Sequence, residues 1–200
     1  MDDGEWAKLI AAGDERERSR FVTTFHGQIY RWLRYLCASA DAAQELTQDT
    51  FVEALQAISR FEGRASISTW LHRVAYYRYT HWLRERRRDL QWLAPLEAAD
   101  ATIDTAGGSN WESLCLKEAL AQLSEEHRDT FVLHYVQQLS VLEVAVVLSV
   151  PAGTVQSRLF HARKRLRELL RDGLDGQCSG RSAAGPRPND NKSVHEVIIS

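Results

Sequence analysis

Two stretches of the chain carry residue types that could do chemistry, and that chemistry is contact with nucleic acid. Residues 68–88 mix aromatic rings with arginines, and residues 154–165 present polar and basic side chains at helical spacing. The sequence has no glycine-rich phosphate loop, no metal-ligand spacing and no recognisable nucleophile–base pair. We therefore expect a DNA-binding protein that is not an enzyme and that uses no cofactor, metal or small-molecule substrate.

In the stretch 68–88, arginines surround a set of aromatic residues. Unpaired bases stack on aromatic rings and phosphates pair with cations, so this mixture suits single-stranded DNA. We expect Trp70 and Trp82 to be core residues, whereas Tyr76 and Tyr79 are candidates for base contacts. The alternative for the arginines is a helix face that is merely solvated.

Residues 140–171 have the layout of a helix-turn-helix. Ser140 and Glu143 have the spacing of a capping box, so a short helix should start there and end near Leu148. The segment 149–153 predicts a turn, with Pro151 suited to the first position of the next helix.

That second helix should lie in the major groove of duplex DNA. The spacing turns its apolar residues inward, and these are Val155, Leu159, Ala162, Leu166 and Leu169. Its outward residues are Thr154, Gln156, Ser157, Arg158, His161 and Arg165. The early polar ones are candidates for base edges and the arginines for phosphates.

The elements that must position these residues are helical throughout, so we predict an all-α fold of two small domains. An apolar stripe between Ala42 and Phe61 has helical spacing, Gly63 breaks it, and Ser66 or Ser68 caps the next helix. The predicted boundaries are 5–90 for the first domain, 91–112 for a flexible linker, 113–171 for the helix-turn-helix domain and 172–200 for a disordered tail.

Charge and targeting signals restrict the class of protein further. The net charge is −2, but basic residues gather in 84–88 and 158–171, which suggests two nucleic-acid contacts on an otherwise acidic protein. The acidic N-terminus lacks the layout of a signal peptide, and no apolar run is long enough to span a membrane. We expect a cytoplasmic protein in which Cys37, Cys115 and Cys178 form no disulfide framework.

Two longer motifs resemble one family. The segment from Asp41 to Leu55 (DAAQELTQDTFVEAL) followed by Phe61 to Ala75 (FEGRASISTWLHRVA) resembles the promoter-melting domain of the extracytoplasmic-function (ECF) sigma factors. The segment from Leu139 to Leu166 (LSVLEVAVVLSVPAGTVQSRLFHARKRL) resembles their second DNA-binding domain. Both motifs stand in the family's order, and the resemblance covers roughly 20–171.

The resemblance implies a transcription-initiation factor that binds core RNA polymerase and opens promoter DNA. It implies that Glu45, Gln48, Asp49 and Glu53 bind the clamp helices of the polymerase β′ subunit. It assigns the second domain to the −35 element and the β flap, and it implies control by an anti-sigma protein. The residues it places at the −10 element are Arg64, Ser66, Arg73, Tyr76, Tyr77, His81 and Arg84.

The sequence departs from the family pattern at a few positions. Tyr77 and His81 stand where the family usually has Asn and Asp, which leaves the −10 sequence preference open. Ser149 replaces the usual glycine of the helix-turn-helix turn, so it must adopt or avoid a positive φ. The acidic pair that usually follows the capping serine is reduced to Leu142 and Glu143.

Two other classes of protein stay open at this point. A DNA-binding regulator that never joins polymerase would explain 124–171, but it gives 41–88 no purpose. Such a regulator should bind duplex DNA alone and usually dimerise. An all-helical interaction protein without a DNA role would tolerate charge reversal at Arg158 and Arg163.

Overall fold

The computed structural model describes residues 2–37, 39–92 and 118–176, and in these ranges all regular structure is helical, as predicted. A 3-10 turn, Ile58–Arg60, follows the third helix, and a π-helical turn, Val132–Val136, follows the fifth. The helices are α1 (Asp3–Ala11), α2 (Glu15–Leu36), α3 (Ala40–Ala57), α4 (Ile67–Trp92), α5 (Glu125–Phe131), α6 (Val141–Leu148) and α7 (Ala152–Gly176).

The described chain divides into two compact units. The first contains α1 to α4 and takes in residues 142–150, and the second contains α5, the π turn and α7. Within the first unit, the Thr69 hydroxyl donates to Oε1 of Glu143 at 2.9 Å. The sequence-predicted domain boundaries at 5–90 and 113–171 remain predictions.

Two helices run further than the sequence predicted. Helix α4 continues to Trp92 and α7 continues to Gly176, so residues 91–92 and 172–176 are helical where a linker and a disordered tail were expected. The rest of the predicted linker and of the tail, with Cys115 and Cys178, lies outside the described residues. Cys37 is buried at the end of α2.

Local sequence signals set where the helices of the first unit begin. Gly13, with φ of 92°, ends α1, and Asp14 accepts the amides of Arg16 and Glu17 at 3.0 and 3.1 Å to start α2. The Ser39 hydroxyl caps α3 through the amide of Ala42. At α4 the cap is Ser66, one of the two predicted serines, whose hydroxyl accepts the amide of Thr69 at 3.0 Å.

The core of the first unit lies where α2, α3 and α4 pack together. On α3 this core includes two polar residues, Thr47 and Thr50, which are fully buried. Each hydroxyl donates to a backbone carbonyl one turn earlier at 2.6 Å, so neither hydroxyl lacks a hydrogen-bond partner. The largest fully buried side chains there are Trp32, Tyr79, Phe21, Ile29, Leu33 and Leu71. This core fixes α3 and α4 side by side, so their outer faces keep a set relation.

The second unit is built on the packing of α5 against α7. The predicted inward face of α7 is confirmed: Val155, Leu159, Ala162 and Leu166 are buried, and Leu169 is half-buried. After Phe131 the chain widens into a π turn, in which the amide of Gln137 donates to the carbonyl of Val132 at 3.0 Å. This turn buries Val132 and Leu133.

Candidate nucleic-acid and partner interfaces

The outer face of α3 is acidic. Glu45 and Gln48 are exposed, and Asp49 and Glu53 are partly exposed, so all four predicted residues reach solvent on one side of the first unit. Val52 lies among them with 56% of its surface exposed, although the sequence had not selected it. We call Glu45, Gln48, Asp49 and Glu53 the acidic face. Carboxylates around one apolar side chain form a surface suited to a basic protein partner.

One arginine of α4 reaches this face. Nη2 of Arg78 lies 2.5 Å from Oδ2 of Asp49, and its Nε lies 3.4 Å from Oε2 of Glu53. Arg78 was seen in the sequence only as one more cation of the arginine-rich helix. The helical repeat of 3.6 residues per turn cannot show which residue of α4 contacts α3, since that contact depends on how the two helices pack.

The outer face of α4 carries four of the residues predicted for the −10 element. Arg73, Tyr77, His81 and Arg84 are all exposed and follow one another at three- or four-residue spacing. Tyr77 is 61% exposed, so its ring is open for stacking. We call these four residues the basic–aromatic face. Cations on both sides of an exposed ring suit a single strand, which offers bases and phosphates together.

The other aromatic residues of α4 lie against the core. Tyr79 is only 1% exposed, so the prediction that it contacts bases is wrong. Tyr76 is half-buried, with its ring stacked 6.4 Å from that of Trp32. Trp70 meets Phe61 edge-on at 5.8 Å and Trp82 stacks on Tyr79 at 6.3 Å, but both tryptophans are only half-buried, although they were expected in the core. Among the tyrosines and tryptophans of the described part of α4, the buried one is Tyr79.

The loop 61–66 leads into the basic–aromatic face. Gly63 has φ of 69°, a conformation that other residues adopt at a cost, so the glycine sets this turn. Arg64 and Ser66, both predicted to contact DNA, are exposed, and Arg64 pairs with Glu62 at 2.6 Å. The loop is held at both ends, by Phe61 against Trp70 and by the cap of Ser66 on α4.

The turn between α6 and α7 has the geometry that the sequence required. Ser149 has φ of 56° and so takes the left-handed conformation that a glycine usually provides. Pro151 lies one position earlier than predicted: its carbonyl accepts the amides of Thr154 and Val155 at 2.9 and 3.2 Å, so it precedes the first residue of α7. Helix α6 ends at Leu148, as predicted.

The outer face of α7 presents most of the residues predicted for duplex DNA. Gln156, Ser157, His161 and Arg165 are exposed, and Thr154 is partly exposed near the start of the helix. Two further side chains share this face without having been selected. Phe160 is 58% exposed, and Lys164 follows one turn later. An apolar ring within a polar face could have been noticed at the sequence level, because no core position of α7 coincides with 160.

Arg158 differs from the other residues predicted on α7. Its side chain is 19% exposed, and its Nη2 lies 2.7 Å from Oε2 of Glu126 on α5. Beneath it, Asp129 is 3% exposed and its Oδ1 lies 3.3 Å from Nη2 of Arg128. Burial raises the pKa of Asp129 to about 6, although Arg128 acts in the opposite direction.

An open cleft between α5 and α7 borders the outer face of α7. The rings of His127 and His161 lie 6.1 Å apart there, and the side chains of Ser124 and His127 share a hydrogen bond of 2.6 Å. Burial, then the charges of His161 and Arg158, lower the pKa of His127. This cleft is therefore polar, with its cations supplied by Lys164 and Arg165.

Comparison with known proteins identifies the family. The family model of Sigma-70 region 2 matches residues 21–89, and that of Sigma-70 region 4 matches residues 113–166. The ECF RNA polymerase sigma factor SigM of Mycobacterium tuberculosis (strain H37Rv) is 31% identical over 174 residues, which cover 84% of each chain. The chain belongs to the ECF sigma factors. It is thus a sigma factor that directs promoter recognition at transcription initiation.

Other relatives of this sigma factor agree. SigW of Bacillus subtilis (strain 168) is 25% identical over 82% of this chain and 95% of its own, and the sigma-E factor of Salmonella typhimurium (strain LT2) is 28% identical over 83% and 93%. The fold resembles RpoE from Bartonella quintana, solved with the anti-sigma factor NepR, with a TM-score of 0.66 at 24% identity over 76% of this chain and 96% of that one. CnrH, solved with the cytosolic domain of CnrY, gives a TM-score of 0.66 at 23% identity over 85% and 97%.

Within residues 2–37, 39–92 and 118–176, no group of three or more His, Cys, Asp or Glu side chains is placed to hold a metal ion. Over the same ranges, none of the helices combines the length and the apolar character that a membrane crossing needs.

Proposed function

We propose that this sigma factor uses three separate surfaces during initiation: the acidic face of α3 for core polymerase, the basic–aromatic face of α4 for the −10 element, and the outer face of α7 for the −35 element. The observation that carries the proposal is that α3 and α4, packed on one core, expose faces of opposite character. An acidic face repels DNA and attracts a basic protein, whereas a face of cations and an aromatic ring attracts DNA.

The acidic face, Glu45, Gln48, Asp49 and Glu53, is proposed to bind the clamp helices of the β′ subunit. Its carboxylates are solvent-accessible and clustered, which favours rapid association with a basic partner and makes the affinity depend on salt. Val52 supplies an apolar contact at the centre of this surface.

The −10 element is proposed to meet the loop 61–66 and the outer face of α4. Tyr77 would stack on an unpaired base, and His81 and the arginines would lie along the strand. Tyr76 would contribute only the edge that its packing on Trp32 leaves open. The residues proposed for this element are Arg64, Ser66, Arg73, Tyr76, Tyr77, His81 and Arg84.

The −35 element is proposed to lie along α7 as duplex DNA, with this domain spanning 113–171 and touching the β flap. Gln156 and Ser157 would read base edges, and Phe160 would contact the methyl group of thymine. Arg158 would act mainly by holding α7 to α5 through Glu126. The residues proposed for this element are Thr154, Gln156, Ser157, Arg158, Phe160, His161 and Arg165.

The remaining parts of the proposal concern partners and place of action. RpoE of Bartonella quintana was solved in complex with the anti-sigma factor NepR, which supports a dedicated inhibitor for this chain as well. We place the protein in the cytoplasm, where polymerase and DNA are, and assign it no enzymatic activity of its own.

The test is binding to purified bacterial core polymerase by fluorescence anisotropy of the labelled full-length protein. Reversal of Glu45 to Lys should weaken binding by at least tenfold, whereas Gln156→Ala should leave it unchanged, since α7 is assigned to DNA. Equal affinities for the two variants would contradict the assignment of the acidic face.

A further inference from the structure

Three acidic residues lie one helical turn apart along α3, and their carboxylates repel one another. Glu45, Asp49 and Glu53 stand at positions i, i+4 and i+8, so each carboxylate faces a like charge one turn away. Like-charge pairs at this spacing destabilise a helix and push flexible side chains apart. A surface that must present three carboxylates together therefore needs something to hold them.

Arg78 lies where it can do this. Its guanidinium stands between the second and third carboxylates, with Nη2 at 2.5 Å from Asp49 and Nε at 3.4 Å from Glu53. Nε is buried and makes no hydrogen bond within the described residues, so its contact with Glu53 at 3.4 Å is one of charge alone. Asp49 is thus held by a hydrogen bond, and Glu53 by its attraction to the guanidinium.

These contacts do little for stability alone. The side chains of Arg78, Asp49 and Glu53 are 33%, 44% and 38% exposed, and ion pairs this open to water contribute little to the free energy of unfolding. Their geometry matters more for binding, because a carboxylate already held in one rotamer loses less freedom when a partner arrives.

We propose that Arg78 is a positioning residue for the polymerase-binding face, holding Asp49 and Glu53 in the arrangement that core polymerase recognises. This inference rests on the proposed function of the acidic face. It also links that face to the −10 element, since Arg78 is the neighbour of Tyr77 on α4.

Two opposite effects make the proposal testable. Removing a cation from this face makes it more negative, and by charge alone it should then bind a basic partner more tightly. If Arg78 positions the carboxylates, removing it should instead weaken binding. The sign of the change in affinity therefore decides between positioning and simple competition for the carboxylates.

The experiment measures the Kd of full-length Arg78→Met, Arg78→Lys and wild type for purified core polymerase, with Arg20→Met as the matched control. Arg20 also pairs with one glutamate on the surface of the first unit, at 3.5 Å from Glu17, so its loss removes the same charge elsewhere. We expect Arg78→Met to bind core polymerase five- to tenfold more weakly than wild type. Arg78→Lys should change the Kd by about twofold, because lysine keeps the charge but cannot bridge two carboxylates. Arg20→Met should bind like wild type.

A double-mutant cycle separates positioning from general damage. In the Asp49→Asn background, Arg78→Met should weaken binding by less than twofold, because the carboxylate that Arg78 hydrogen-bonds is already gone. An unchanged or tighter Kd for Arg78→Met, or a full effect in the Asp49→Asn background, would overturn the inference. If Arg78→Met does not fold, a second cycle that combines Arg78→Lys with Asp49→Asn and measures the same Kd decides the question. Failure of the wild type to bind core would instead reject the proposed function.

Discussion

Asp3 caps the helix that begins 64 residues later in the chain: its Oδ2 accepts the amide of Ile67 at 2.8 Å. Ser66 takes a second amide, that of Thr69, so two donors of the first turn of α4 are satisfied by side chains. Helix α1 therefore holds the start of the helix that we assign to the −10 element.

Loss of this cap should loosen the start of α4. Asp3→Ala removes an acceptor for a helix amide, which typically costs about 1 kcal/mol. We expect a lower Tm and faster hydrogen exchange at the amides of residues 67–69, with the rest of α4 unchanged. Asp2→Ala is the control, because the Asp2 side chain makes no capping bond to α1. Equal exchange in both variants would show that the Asp3 contact holds nothing.

The exposed ring of Tyr77 should carry part of the binding to the melted −10 strand. Stacking of one base on an aromatic ring contributes about 1–3 kcal/mol. Tyr77→Ala should weaken capture of a −10 single strand by the polymerase complex by roughly fivefold or more. Tyr77→Phe, which keeps the ring, should bind like wild type. If both variants bind equally, Tyr77 does not stack on a base.

Gln156 and Arg158 lie two positions apart on α7 and should respond differently to substitution. Gln156 is exposed, so Gln156→Ala should relax the base preference in the −35 element. Arg158 is held by Glu126, so Arg158→Ala should lower the Tm and weaken all −35 sequences alike. Binding selections on randomised −35 DNA distinguish the two. A changed base preference in Arg158→Ala would show that the arginine reaches the groove.

The buried carboxyl of Asp129 should make stability depend on pH. Its pKa is raised to about 6 in the fold, from an ordinary value of 3.8, so the folded protein binds the extra proton between these values. The free energy of unfolding should fall by about 3 kcal/mol from this group as pH rises from about 4 to 6, and it should stay low at higher pH. Asp129→Asn should flatten this part of the profile.

Urea unfolding of wild type and Asp129→Asn across this pH range gives the difference directly. Taking the difference between the two proteins removes the contribution of every other titrating group that the substitution does not disturb. Parallel profiles would mean that Asp129 stays ionised in the fold, held by the Arg128 guanidinium at 3.3 Å.

Much of the fold was accessible from the sequence because helical periodicity depends only on neighbours along the chain. The inward face of α7, the end of α6 at Leu148 and the cap at Ser66 followed from local rules. The π turn after Phe131 did not, because the pattern of apolar residues there fits a regular helix equally well.

The residues missed were those whose roles depend on packing between helices. Tyr79 is an exception, because it continues the buried i, i+4 series of Ile67, Leu71 and Ala75, so helical spacing already marked it as a core position. The contacts of Arg78 with α3 and of Asp3 with α4 join residues 29 and 64 positions apart. Such partners are fixed only when the helices pack, so a single sequence could not name them.

Run-off transcription tests the central claim most directly. Purified bacterial core polymerase, with and without this protein, is given a pool of promoter fragments from the source organism. The account predicts specific transcripts that appear only with the protein, with common −35 and −10 sequences upstream of their start points, and fewer of them with the Glu45→Lys variant. No added transcript, together with no stable complex with core, would contradict it.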